Sequence, residues 1–194
     1  MSNLNEIFKD ARINFRNGQY QKAIENYQMV LKHKPDLIEA WNNIGLCYAK
    51  SGKMDEAIKS FDAIANLNPK LYFLWRNLGI IYQHLKDYRK VIETYQKGLQ
   101  YFPDNAVFWY SLGVVYNLLN DFENAIKAYK KALEFDPKHE AAWKNLCITY
   151  SKKGAMIDLE GYKANTEEKR ITFTFIEDTV YFDKIFSKQI NKRL

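Results

Sequence analysis

The chain has 194 residues, 47% of them apolar and 15% aromatic, with 29 Lys and Arg against 23 Asp and Glu for a net charge of +6. That apolar content excludes global disorder, and no apolar run approaches the ~18 residues of a spanning helix, so no membrane insertion is expected. The N-terminus, MSNLNEIFKDARINF, lacks the apolar stretch of a secretory signal, which points to a cytoplasmic protein. Basic and acidic residues are interspersed throughout, so the positive balance reads as solvated helix surface and no nucleic-acid partner is expected.

In chain order, residues 4–37 open with an amphipathic stretch carrying Ile7, Asp10 and Asn14, then Gly18-Gln-Tyr, then AIENY from Ala23, and close at Pro35. Residues 38–71 run WNNIGLCY from Trp41, Gly52-Lys-Met, AIKSF from Ala57 and Pro69. Residues 72–105 run WRNLGIIY from Trp75, Lys86-Asp-Tyr, VIETY from Val91 and Pro103. Residues 106–139 run WYSLGVVY from Trp109, Asn120-Asp-Phe, AIKAY from Ala125 and Pro137, and WKNLCITY begins again at Trp143. Tryptophan, the apolar residue three on, glycine four on and tyrosine seven on share one face of a 3.6-residue helix. The glycines Gly45, Gly79 and Gly113 each cost roughly 1 kcal/mol of helix propensity against alanine, so a close helix–helix approach is expected there. Gly and Asn at the turns tolerate the left-handed conformation that ends a helix. Proline stops each second helix. Asp36 followed by Glu39 has the spacing of a capping box for the next helix.

Two residue types, Trp and Pro, keeping one period of 34 positions identify a copied helix–turn–helix unit. The pattern resembles the tetratricopeptide repeat, TPR, over about residues 4–153. The resemblance implies an all-α fold, a TPR α-solenoid that winds antiparallel helix pairs into a right-handed superhelix, closed by a C-terminal capping segment. The units are 4–37 (TPR 1, a divergent N-terminal cap), 38–71 (TPR 2), 72–105 (TPR 3), 106–139 (TPR 4) and 140–165 (a partial TPR 5). Residues 166–194 form a C-terminal cap or arm. ITFTF there alternates like a strand, and YFDKIFSKQI has helical spacing, with a capping helix near 178–191 preferred.

Catalytic constellations are absent from the sequence: it contains no G-x-S-x-G, H-E-x-x-H or C-x-x-C, and His33, His84 and His139 fall in different repeats. An enzyme, a metal site and a cofactor are therefore not expected. Cys47 and Cys147 lie three repeats apart, beyond the roughly 7 Å reach of a disulfide.

With ~100° per residue, the face opposite each tryptophan centres on offsets −2, +1, +2 and +5, and the resemblance implies that these first helices line a concave groove. The candidate peptide-binding residues are Arg12 from the first repeat, Asn42, Asn43 and Leu46 from the second, Phe73, Arg76, Asn77 and Ile80 from the third, Tyr110 and Val114 from the fourth, and Lys144 and Asn145 from the fifth. An asparagine ladder can pair with a peptide backbone's C=O and N–H whatever its sequence. Arg12, Arg76 and Lys144 beside Ile80, Val114 and Tyr110 favour a partner segment carrying acidic and apolar groups. Of the residues of the carboxylate clamp with which some TPR cochaperones grip a chaperone's tail, only Asn43 is in place, so that partner is not expected. The reading is a non-enzymatic adaptor. A structural subunit, or self-association through residues 166–194, is the alternative, and the oligomeric state stays open.

Overall fold

Every connection between repeats is built on a proline carbonyl. The computed structural model describes residues 4–153, and among these residues all regular structure is helical: α1 Leu4–Arg16, α2 Tyr20–Leu31, α3 Ile38–Lys50, α4 Met54–Leu67, α5 Tyr72–His84, α6 Tyr88–Tyr101, α7 Ala106–Leu118, α8 Phe122–Phe135 and α9 Glu140–Lys153. Each helix packs mainly on its neighbours in sequence, with α7 also touching α9, which is the contact pattern of a solenoid. Odd-numbered helices are the first of each repeat and even-numbered helices the second. The cap or arm at 166–194, the preferred helix near 178–191, the ITFTF strand and residues 154–165 of the fifth unit lie outside the described residues.

Trp41 Nε1 donates to the Pro35 carbonyl at 2.8 Å, Trp75 Nε1 to Pro69 at 2.8 Å, Trp109 Nε1 to Pro103 at 2.8 Å and Trp143 Nε1 to Pro137 at 3.1 Å. The two periodic residue types are thus partners. A proline carbonyl in a connection has no helical ladder to join, and a half-buried indole N–H needs an acceptor, so one bond satisfies both.

The turns within repeats are left-handed, at Gly18 (φ 73°), Gly52 (φ 76°), Lys86 (φ 57°) and Asn120 (φ 59°). Lys86 adopts this conformation despite its Cβ, directly before Asp87, whose carboxylate accepts from Lys90 N at 3.1 Å and caps α6. Asp121 caps α8 in the same way through Asn124 N at 3.2 Å. The capping box expected at Asp36 and Glu39 does not form: α3 starts with Leu37 at its cap and no side-chain bond. The capping place is held in register by Leu37, Leu71, Asn105 and His139, one residue beyond Asp36. Asn105 and His139 do use it, accepting from Phe108 N and Ala142 N.

The glycines serve close approach. A Cβ at Gly45 would stand 2.9 Å from the Phe61 ring and one at Gly113 2.5 Å from the Tyr129 ring, while one at Gly79 would overlap the Tyr95 ring. In these three repeats the aromatic ring of the second helix therefore packs directly against the backbone of the first. The buried stripe is rotated from the face centred on tryptophan that the periodicity implied. Offsets +3 (Ile44, Leu78, Leu112, Leu146) and +4 (Gly45, Gly79, Gly113, Cys147) are buried throughout as the periodicity implied, and so are offset −1 (Ala40, Leu74, Phe108, Ala142) and offset +6 (Cys47, Ile81, Val115, Thr149). Trp41, Trp109 and Trp143 are only half-buried, whereas Trp75 is buried. Burial pushes the Cys47 and Cys147 thiols up to about 11.

Gly113→Ala tests the close approach. Helix propensity alone would raise stability by about 1 kcal/mol, whereas displacing the Tyr129 ring costs roughly 1–3 kcal/mol. A lowered urea midpoint is expected; a raised one would contradict the packing.

Candidate functional site

First helices of successive repeats meet through their side chains. Asn77 Nδ2 reaches Asn42 Oδ1 at 3.5 Å, joining α5 to α3, and Asn145 Nδ2 donates to the Tyr110 hydroxyl at 3.2 Å, joining α9 to α7. Both bonds link offset +2 of one helix to offset +1 of the one before. The candidate residues at these offsets therefore adjoin between α3 and α5 and between α7 and α9.

The rotated core changes what each position on that face can offer. With the buried stripe at −1, +3 and +6, the open side of a first helix is at +1, +5 and −2, and +2 falls at the margin. At this marginal offset Asn43, Asn77, Ser111 and Asn145 are all half-buried. Asn43 lies beside the Tyr27 phenol, and Ser111 lies beside that of Tyr95 while donating to the Val107 carbonyl at 2.8 Å. Asn77 faces Phe61, which has no hydroxyl, and turns to Asn42 instead. Asn145 spends its amide on Tyr110, which leaves Tyr129 Oη and Asn117 Oδ1 buried without a partner although both amides lie beside that phenol. The asparagine ladder is largely occupied by the protein itself.

Offset +5 is different. Leu46 and Val114 are half-buried, Ile80 is 45% exposed and Ile148 38% exposed. At −2, Val107 is 43% exposed and Phe73 is half-buried. Arg76 and Lys144 at +1 are exposed beside this aliphatic row, and Tyr110 stacks on His139 with ring centres 4.6 Å apart. Glu39 at −2 of α3 is the one carboxylate at the open offsets of α3, α5, α7 and α9. Arg12 is exposed on α1, where Asn5, Phe8, Lys9, Ile13 and Arg16 join it around a depression of about 560 Å³. Phe8 and Phe15 of α1 are committed to Tyr27 (5.4 Å) and Tyr20 (5.8 Å). Ile148 and Val107, which the offset count also places on this face at +5 and −2, complete the aliphatic row.

Among the described residues, no group of His, Cys, Asp and Glu could hold a metal ion, and no helix is long and apolar enough to cross a membrane. The sequence profile of the tetratricopeptide repeat matches residues 38–71, 72–105 and 106–139, and a second TPR profile matches residues 11–52. Solved structures of similar fold include the MamA protein, 25% identical over 79% of this chain and 85% of that one with a TM-score of 0.68. A tetratricopeptide repeat protein from Parabacteroides merdae is 21% identical over 78% of this chain and 60% of its own, with a TM-score of 0.71. YrrB, described as a TPR protein with an unusual peptide-binding site, is 18% identical over 76% of both chains, with a TM-score of 0.61. No curated protein sequence matches the chain.

Two tests follow from the phenols beneath this face. Tyr27→Phe deletes a hydroxyl that lies beside Asn43 and should cost about 1 kcal/mol, while Tyr129→Phe deletes a buried, unpaired one and should leave stability unchanged or raise it; urea unfolding of both variants distinguishes them. Burial also pushes Tyr27 and Tyr129 from the ordinary 10 up to about 12. The folded state holds these phenols neutral, so their contribution is complete below pH 10 and is lost as pH rises toward 12. Unfolding over that window, with phenolate absorbance rising in step with loss of helix, is the expected outcome.

Proposed function

The chain belongs to the tetratricopeptide repeat family, and we propose that it is a non-enzymatic adaptor whose first-helix face holds a segment of another protein rich in acidic and aliphatic residues. The observation that carries this reading is the row Phe73, Ile80, Val107, Val114 and Ile148, one or two apolar side chains per repeat on the side away from the core. Each adds apolar area that association would remove from water, at about 25 cal/mol per Å² before ordering costs. Arg76 and Lys144 flank the row, which favours carboxylates on the partner and steers its approach. Backbone recognition by the asparagines is a smaller part of this reading than their number implies. Asn42 and Asn77 bond each other at 3.5 Å, and Asn43, Ser111 and Asn145 sit at the half-buried margin of the wall.

The test uses Arg76→Glu with Ile80→Asp, both at exposed positions, in preference to asparagine variants that would also disturb Tyr27. Selection from a displayed random-peptide library on the wild-type array should enrich sequences combining Asp or Glu with Leu, Ile or Val. The double variant should bind those peptides at least tenfold more weakly, about 1.4 kcal/mol, with its melting curve intact. Undiminished binding by the variant, or enrichment of basic peptides, would overturn the assignment.

A further inference from the structure

Between the second helices α6 and α8 the opposite surface of the array opens into a cleft of about 500 Å³, a size typical of sites that take a small ligand or a few side chains. Its floor is Trp109, Leu112 and Tyr116 of α7 with Leu99 of α6, and its rim on the α8 side carries Lys127 and Lys131. On the α6 side the rim is neutral, at Gln96 and Gln100. We propose that this cleft is a second docking site, independent of the first-helix face, for an acidic segment of a partner protein that sets one large apolar side chain over Trp109 and its carboxylates against Lys127 and Lys131.

The repeat itself supplies the comparison that supports this. Moving every rim position back by one repeat gives the cleft between α4 and α6, where Gln96 is replaced by Asp62, Asn124 by Lys90, Lys127 by Glu93 and Lys131 by Lys97. There the charges answer one another: Asp62 lies in the field of Lys97 and Lys90, and Lys90 Nζ sits 5.2 Å from the centre of the Tyr82 ring, covering the floor. The floor tryptophan, Trp75, is 7% exposed and stacked on Tyr101 at 6.0 Å. One repeat further back, Glu56 stands where Asn124 does, three residues before Lys59 on α4. Among these three register-matched rims, the one between α6 and α8 alone has no carboxylate. Its acidic place is Gln96, which reaches the Tyr116 hydroxyl at 3.5 Å, and with Asn124 in place of Lys90 no ammonium covers the Tyr116 ring. Lys131 has an ion pair outside the rim, with Glu134 at 2.8 Å, where both side chains are about half exposed and the pair is easily exchanged. Two ammonium groups beside an uncovered aromatic floor suit a ligand that is anionic and apolar together.

The test is a titration followed by NMR with a synthetic acidic peptide, DDLFDD, and its controls DDSSDD and KKLFKK. DDLFDD should shift the Trp109 indole N–H saturably while Trp75 stays still, and both controls should be at least tenfold weaker. Lys127→Gln with Lys131→Gln, both exposed, should weaken DDLFDD at least tenfold, whereas Arg76→Glu with Ile80→Asp should leave the Trp109 shift in place. No saturable shift at Trp109, equal affinity for the lysine variant, or a shift abolished by the Arg76 and Ile80 changes would overturn this site. The last result would leave the first-helix face standing.

Discussion

An indole N–H that donates to a proline carbonyl six residues upstream links each repeat to the next, four times in register at 2.8–3.1 Å. Each bond contributes only about 1 kcal/mol net, so its weight lies in orientation. The proline ends one unit, the tryptophan starts the following one, and the bond fixes how far the new first helix is rotated about its axis when it packs. A repeated constraint gives a repeated rotation, and a repeated rotation is what lines up +1, +2 and +5 of α3, α5, α7 and α9 on one face.

That rotation differs from the one that amphipathic counting implies. The deepest positions are −1, +3 and +6. Asn43, Asn77, Ser111 and Asn145 are drawn to the edge of the core, where they meet the aromatic of the preceding second helix. Where that aromatic is Tyr27 or Tyr95, the amide or hydroxyl at offset +2 lies beside its hydroxyl, whereas Asn145 turns to Tyr110 and leaves the Tyr129 hydroxyl unpartnered. Where it is Phe61, Asn77 is released to bind Asn42.

The repeat, its helical content and the role of Gly45, Gly79 and Gly113 were legible in the sequence, because periodicity and a costly residue repeated in register have few physical explanations. The bond between tryptophan and proline was legible in principle, as a constant six-residue separation, but periodicity alone does not say which atoms meet. The capping box at Asp36 fails because helix α3 starts one residue later than the Pro35-Asp36 spacing implies. Reading Asn43 and Asn145 as free groove residues misses the phenols beneath them, since a cross-repeat hydrogen bond depends on rotation that no single helix records. Charge behaves likewise: evenly mixed along the chain, Lys and Asp sort differently on each second-helix rim once the repeat register stacks them.

Both surfaces therefore derive from one geometric device. The first-helix face gains its continuity from the repeated rotation, and the cleft between α6 and α8 gains its aromatic floor from Trp109 held down by Pro103. The most direct test is solvent exchange of the four indole N–H groups by NMR. Exchange at Trp41, Trp75, Trp109 and Trp143 slowed relative to free tryptophan, and slowest at the 7%-exposed Trp75, is what the account requires. Exchange at the free rate at Trp41, Trp75 or Trp109 would contradict it.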